Sequence, residues 1–192
     1  MIGFLFSGTE NLVDKNFKIL SDSIPHNILL IIGGSWVVAL MAQISIPLGF
    51  TPVPITGQTF AVLLIGCAFG AKKGGLSLLL YLLQGSTGLP FFANGSAGLA
   101  TLLGPSGGYL IGMFFASIVI GTLSEKRLDE DYMSSLVIFS LAHIIIFSFG
   151  LLWLGKYVGY NHVVSLGLFP FIPGLVVKTI GASLFAKYLR QL

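Results

Sequence analysis

The sequence predicts an all-α membrane protein, a compact bundle of six transmembrane helices, from its composition, its carboxylates and its apolar runs. Of 192 residues, 55% are hydrophobic and 9% are charged, and the mean hydropathy is +0.94. Soluble domains carry about 25% charged residues. All seven carboxylates lie before residue 23 or within residues 125–131, so the stretches 23–124 and 132–192 contain none. These observations exclude a disordered chain, a soluble enzyme and a nucleic-acid-binding protein.

Each predicted helix is an apolar run bounded by proline, glycine or charge. A spanning helix needs about 20 residues, which allows roughly five to seven spans in a chain of this length. The first run opens after Pro25 and stops at Pro47, and the second ends at Gly70 and the following lysine pair. The six predicted helices cover residues 27–46, 55–69, 74–83, 107–123, 133–154 and 166–189.

The basic residues predict the orientation of the bundle. With the N-terminus inside, eight of the ten Lys and Arg residues fall on the cytoplasmic side, Lys156 falls outside and Lys178 falls within a helix. Basic residues are concentrated on the cytoplasmic side of membrane proteins. We therefore expect both termini in the cytoplasm. Residues 1–26 are expected to form a cytoplasmic or interfacial segment, and residues 27–192 a single six-helix domain.

Two segments between the predicted helices carry no charge. Residues 47–54 contain three prolines, and residues 85–108 contain seven glycines and two prolines. Backbone that is neither helical nor solvated must be buried in protein or line a cavity, because unpaired amides are costly near lipid. We expect Gly/Pro-rich extracellular loops that cap a ligand pocket. Re-entrant packing without a ligand is the alternative.

Lys178 is the most unusual residue of the sixth predicted helix. It lies in the middle of that helix, and no other predicted helix contains a carboxylate to neutralise it. A charged side chain at such depth is costly and indicates a functional role. An anionic ligand is therefore a natural partner for Lys178. The alternatives are a side chain that extends to the interface or one that loses its proton.

Several polar residues lie at or near the outward ends of the predicted helices. They are Gln58, Thr59, Tyr81, Gln84 and Tyr109. All but Tyr81 lie close to the helix end, and Tyr81 lies about one turn deeper. Together they are placed to line one mouth of a pocket, although interfacial anchoring explains each tyrosine equally well.

Two further features are more often structural than functional. His143, in the fifth helix, has no neighbouring His, Cys or carboxylate, so we interpret it as a packing residue and predict no metal site. Ser35 and Ala39 form a small-xxx-small pair that lets another helix approach closely. We take this pair as a candidate partner-docking surface, and internal packing explains it as readily.

The sequence lacks the usual means of driving transport. It contains no G-x-x-x-x-G-K-[ST] phosphate-binding loop, and no helix carries a carboxylate for protons or sodium ions. No Ser–His–Asp set is present, nor an acidic dyad for proteolysis within the membrane. We therefore predict a protein that is not an enzyme and has no cofactor. The energy for any uphill transport is expected to come from another polypeptide.

An ordered series of motifs resembles the BioY family. The motifs are TPVPITGQTF (51–60), Gly70–Ala71 with Gly74, Tyr81–Leu82, Gly85, GLPFFA (88–93), GPSGGYL (104–110) and PFIPGLVVK (170–178). The similarity runs from about Gly49 to the C-terminus. It implies a six-helix substrate-binding (S) component of an energy-coupling-factor (ECF) vitamin transporter with biotin as its ligand. The implied partners are a transmembrane coupling protein, two ABC-type ATPases and the lipids of a bacterial cell membrane.

The resemblance also implies site residues. Asn94 matches a loop position that reaches the ureido ring of biotin, Phe92 would enclose the fused ring, and Tyr109 would lie beside the pocket. Lys178 is the terminal lysine of the last motif. The chain departs from the family at Leu175, where members commonly have Asp. Either another acceptor, the Asn94 carbonyl or a backbone carbonyl, replaces that Asp, or the ligand differs.

Three alternative functions follow from these observations. An S component for a different small vitamin is suggested by Leu175. An intramembrane enzyme would use His143 or Lys178 as its base, but no nucleophile or metal partner accompanies them. A purely structural assembly subunit would hold no small molecule at all.

Overall fold

Apolar helices form most of the described part of the chain, which comprises residues 23–129 and 131–189 of a computed structural model. The elements in order are α1 (Ile24–Gln43), β1 (Ser45–Ile46), β2 (Ile55–Thr56), α2 (Gln58–Ser86), a 3₁₀ turn (Ala93–Gly95), α3 (Leu99–Leu103), α4 (Gly107–Glu125), α5 (Tyr132–Val158), α6 (Val163–Gly167), a second 3₁₀ turn (Phe169–Phe171) and α7 (Ile172–Leu189). The expectation for the N-terminal segment falls mainly on residues 1–22, outside the described residues.

Helix α2 is a hairpin of two antiparallel arms, residues 58–69 and 71–86. Gly70 separates them with φ 76° and ψ 178°, a conformation that L side chains rarely adopt. A Cβ atom added to Gly74 would lie 3.3 Å from Cα of Gly66, and the Gln58 amide donates to the Tyr81 hydroxyl across the hairpin. Residues so far apart along a straight helix would not meet.

The hairpin reconciles two ways of counting the membrane spans. Five stretches of the described residues are long and apolar enough to cross a membrane, and α2 is one of them. Because α2 reverses at Gly70, it crosses twice, and residues 23–129 and 131–189 contain six crossing segments. The predicted all-α bundle of six transmembrane helices is confirmed.

Two predicted helices begin later in the structure than the sequence predicts, because non-helical segments occupy their first residues. Residues 55–56, predicted as the start of the second helix, instead pair antiparallel with β1, with Ile46 opposite Ile55. The last predicted helix, 166–189, is divided by the 3₁₀ turn at Phe169–Phe171, which contains Pro170. Proline has no N–H for a helical hydrogen bond, so the apolar run breaks there.

Glycines let the central helix α4 approach its neighbours closely. A Cβ atom at Gly112 would lie 2.9 Å from backbone atoms of Ile146 on α5. One at Gly66 on α2 would lie 2.9 Å from the Ser117 carbonyl on α4. Small residues at such crossings are the usual means of helix association in membranes, where water does not drive packing.

The small pair on α1 packs inside the chain, which favours internal packing over a partner-docking surface. Ser35 is fully buried and Ala39 is 5% exposed. The Ser35 hydroxyl lies 2.8 Å from the Ile32 carbonyl and 3.1 Å from Oε1 of Gln84 on α2. Both side chains are therefore enclosed within the chain, Ser35 by contact with α2.

Hydrogen bonds between elements define two ends of the bundle. At one end, Cys67 Sγ lies 3.2 Å from an Asp129 carboxylate oxygen, and the Ala71 N–H donates to Glu125 at 2.9 Å. At the other end, Gln43 accepts from the Gly95 N–H at 3.0 Å. The first end carries most of the charged residues. The second carries the uncharged, glycine- and proline-rich segments.

Candidate ligand-binding site

A cavity of about 320 Å³ lies at the uncharged end of the bundle, a volume suited to a small organic ligand. Six parts of the chain line it: the β2 region, the start of α2, the segment between α2 and α4, the first half of α4, the middle of α5, and the second 3₁₀ turn with the start of α7. Its lining residues are Pro52, Val53, Pro54, Ile55, Thr56, Gln58, Thr59, Phe92, Ala93, Asn94, Ser96, Ala100, Thr101, Gly104, Pro105, Ser106, Tyr109, Leu110, Met113, His143, Ile146, Phe147, Phe171, Leu175 and Lys178.

The segment 87–106 forms a cap over this cavity, as the sequence predicts. The Trp153 indole N–H donates to the Gly104 carbonyl at 2.9 Å, and the Tyr157 hydroxyl donates to the Leu103 carbonyl. The Gln43 amide N–H groups lie 3.2 Å from the Phe92 carbonyl. Side chains of α1 and α5 thus hold the cap by donating to three of its backbone carbonyls.

Asn94 occupies the cap in a left-handed conformation with φ 58°. Asparagine tolerates this region better than most residues because its short amide bonds locally. Its side-chain carbonyl accepts from the Ser45 hydroxyl. The carbonyl thus already accepts one hydrogen bond, whereas the amide N–H₂ keeps its donors for a ligand.

Lys178 lies in the cavity wall on α7. Its ammonium donates to the Thr56 carbonyl and to the Thr59 hydroxyl, the latter at 3.0 Å. An ammonium has three donors, so one is left over. None of the residues lining the cavity carries a carboxylate. The site therefore presents a positive charge whose two bonds are to neutral oxygens.

Gln58 and Tyr81 lie differently relative to the cavity, although the sequence predicted that both line it. Gln58 lines the cavity and is 3% exposed, accepting from the Thr56 hydroxyl at 2.9 Å. Tyr81 is fully buried and lies outside the lining. Its ring packs edge-on against Phe92, with centroids 5.6 Å apart. Tyr81 thus contacts two residues of the lining, Gln58 and Phe92, without belonging to the lining itself.

Aromatic rings supply much of the apolar wall. Phe92 is 1% exposed and seats against Gly85, where a Cβ atom would leave no room for its ring. Tyr109 packs edge-on against Phe147 at 5.7 Å. The Tyr109 hydroxyl donates to the Gly167 carbonyl at 2.7 Å. Tyr109 thus presents its ring to the cavity, while its polar group fixes α6.

Sequence reasoning missed the contribution of α5 to the site. His143, interpreted as a packing residue, lines the cavity together with Ile146 and Phe147. No local motif marks these residues, since their position depends on how α5 is rotated against α4 and α7. Leu175, the residue at which the chain departs from the family motif, also lines the cavity and adds apolar surface there.

Comparisons with known proteins agree with this architecture. A sequence profile of the BioY family matches residues 14–192. The chain belongs to the BioY family. The match begins well before Gly49, so the similarity to BioY proteins extends further toward the N-terminus than the motifs alone indicate.

Individual relatives and a solved structure are similar over most of the chain. A probable biotin transporter BioY of Pyrococcus horikoshii is 40% identical over 78% of this chain and 86% of the relative. The biotin transporter BioY of Thermotoga maritima is 38% identical over 85% and 90%. A crystal structure of the S-component for biotin from an ECF-type ABC transporter matches with a TM-score of 0.78 at 28% identity, covering 86% of this chain and 91% of the other. This BioY-family chain is thus a multi-pass membrane protein of the transporter S-component fold.

Proposed function

We propose that this protein takes up biotin, binding it in the cavity at the uncharged end of the bundle. The observation that carries the proposal is the cavity itself, in which one ammonium and several neutral polar groups interrupt an apolar wall. Ligand pockets commonly combine an apolar lining with a few placed polar groups.

The chemistry of biotin suits this lining. Its fused ring is apolar and matches the rings of Phe92 and Tyr109. Its carboxylate and its ureido carbonyl are both acceptors for an ammonium, which Lys178 supplies. The Asn94 amide and the Gln58 side chain are placed to contact its remaining polar edge. We therefore assign substrate binding to Asn94, Gln58, Phe92, Tyr109 and Lys178.

The protein would act as the S component of an ECF-type ABC transporter. A phosphate-binding loop is absent from the sequence, so nucleotide hydrolysis must come from partner subunits. We propose a transmembrane coupling protein and two ABC ATPases in that role, with this chain as the non-enzymatic binding subunit without a cofactor.

The protein would lie in the bacterial cell membrane with both termini in the cytoplasm. Within the described residues, five basic side chains belong to the end opposite the cavity: Lys72, Lys73, Lys126, Arg127 and Lys187. Lys156 belongs to the cavity end. Basic residues concentrate on the cytoplasmic side, so the cavity would open outward.

Purified protein titrated with biotin in detergent tests the assignment. We expect a dissociation constant below micromolar, and mass spectrometry of the small molecules that co-purify should find biotin. Binding weaker than micromolar would contradict the assignment to biotin. A different co-purifying vitamin would then support the second candidate, an S component for another ligand, which Leu175 in the cavity wall favours.

A further inference from the structure

His143 is the one histidine that lines the cavity, and it is buried in the middle of α5. Its side chain is 2% exposed. Nδ1 lies 2.9 Å from the Phe139 carbonyl oxygen and 3.2 Å from the Thr179 hydroxyl oxygen. A carbonyl can only accept, so Nδ1 carries the proton in the neutral ring. Nε2 is then an acceptor with a free lone pair.

That lone pair has no partner in residues 23–129 and 131–189. The buried side-chain atoms there without a hydrogen bond are Asn27 Oδ1, Ser86 Oγ, Ser117 Oγ, His143 Nε2 and Ser183 Oγ. Of these, only His143 belongs to a residue of the cavity wall. Leaving a buried acceptor unpaired is costly, so a bound ligand that supplies a donor would relieve that cost.

Most other polar side chains of the cavity are donors or already take part in a hydrogen bond. The Ser96 and Thr101 hydroxyls, for example, donate to backbone carbonyls, although their oxygens can still accept. Lys178 has a spare donor and no acceptor. The Asn94 carbonyl accepts from Ser45, and Gln58 Oε1 accepts from Thr56. Leu175 adds none. Within the described residues, Nε2 of His143 is thus the one buried side-chain acceptor of the cavity wall that makes no hydrogen bond, and a ligand N–H group would supply the missing donor.

We propose that His143 Nε2 accepts a hydrogen bond from an N–H group of the bound ligand and so selects ligands that carry such a donor. The proposal rests on the proposed function, in which the donor is a ureido N–H of biotin. Phe139 and Thr179 fix the tautomer and the ring orientation, and α5 thereby becomes part of the recognition site.

Paired titrations of biotin and of its two N-methylated ureido analogues test this role. His143→Asn retains a donor for the Phe139 carbonyl but removes the acceptor at the Nε2 position. We expect it to bind biotin about tenfold more weakly than the unaltered protein, the loss of one hydrogen bond. We also expect the unaltered protein to reject one N-methyl analogue, and His143→Asn to discriminate less. His162→Leu, which changes an exposed histidine outside the cavity, is the matched control and should bind like the unaltered protein.

A spectroscopic measurement keeps the proposal testable if His143→Asn does not fold. With ¹⁵N-labelled histidine and with His26 and His162 replaced, the Nε2 resonance of His143 should move upfield on addition of biotin and stay in place with the rejected analogue. An unmoved resonance, or equal biotin affinity in folded His143→Asn, overturns the role of His143 while leaving biotin binding intact. Absence of biotin binding to the unaltered protein overturns the proposed function as well.

Discussion

At the scale of single residues, Lys178 places a charge where the membrane disfavours one. Its two described partners, Thr56 and Thr59, come from the start of α2 and are neutral. They orient the ammonium without neutralising it. A charge kept in this state is suited to a ligand oxygen, because hydrogen bonds to charged groups are stronger than neutral ones.

Replacement of Lys178 by methionine should weaken biotin binding by about 10- to 100-fold, the loss of a charge-assisted hydrogen bond. Isothermal titration of the purified variant measures the change. Lys187→Met, on the same helix but exposed at the other end, is the matched control and should leave affinity unchanged. Equal affinity of Lys178→Met and unaltered protein would remove Lys178 from the site.

The site residues that could be predicted are those whose chemistry is unusual for their position. A lysine in an apolar helix and polar residues at helix ends stand out in the sequence, and Lys178, Gln58 and Tyr109 do line the cavity. Tyr81 does not, since its depth and the packing of Phe92 over it are decided by the tertiary structure. His143 was missed for the same reason.

At the scale of elements, the α2 hairpin depends on the left-handed conformation of Gly70. The sequence predicted a break there, because glycine and two lysines interrupt the apolar run. The two-residue ribbon of β1 and β2 could not be predicted, since so short a pairing has no periodic pattern. The irregular start of the last predicted helix follows from Pro170. Where the chain breaks near this proline depends on how α6 packs.

Substitution of Gly70 by alanine should destabilise the protein by about 1–3 kcal/mol, the cost of a non-glycine residue at positive φ. The new Cβ atom would also crowd the Glu125 carboxylate that accepts from the Ala71 N–H. Denaturant unfolding in detergent measures the change. Gly33→Ala, in α1 with no neighbouring atom within 4 Å, is the control and should be neutral or slightly stabilising. Equal stability of the two variants would contradict the strain at Gly70.

The start of α5 should be sensitive to acid. Asp131 caps it by accepting from the Ser134 hydroxyl at 2.7 Å and from the Ser134 N–H at 2.8 Å. Both hydrogen bonds lower the pKa of Asp131 from its ordinary value of 3.8, and the bond from the hydroxyl has the larger effect. The stabilisation is therefore complete above that value and is lost as the pH falls through the lower pKa of the folded protein.

Asp131→Asn should remove this acid-sensitive contribution while keeping an acceptor for the helix N-terminus. Melting temperatures measured between neutral pH and acid should converge for the variant and the unaltered protein at low pH. Asp131→Ala, which loses the cap, should be less stable than Asp131→Asn at neutral pH. A constant difference between Asp131→Asn and unaltered protein at every pH would contradict the assignment.

At the scale of the whole molecule, the two ends of the bundle differ: one carries most of the charged residues, and the other carries the cap and the cavity. With Cys67 replaced by serine, a cysteine at Asn161 should react with a membrane-impermeant maleimide on intact cells, because that exposed loop belongs to the cavity end. A cysteine at Lys126 should react only after permeabilisation. The opposite pattern would invert the proposed orientation.

Ligand exchange depends on several elements at once, because the cap over the cavity lies between α2 and α4 in the chain but is held by side chains of α5. Removing the Tyr157 hydroxyl, which donates to Leu103, should loosen this segment and speed biotin dissociation more than association. Tyr157→Phe is expected to dissociate about two- to tenfold faster, the effect of one hydrogen bond. Stopped-flow displacement of a fluorescent biotin derivative measures the rate. Tyr188→Phe, exposed near the far end of α7, is the control, and an unchanged dissociation rate in folded Tyr157→Phe would mean that the ligand leaves without displacing the cap.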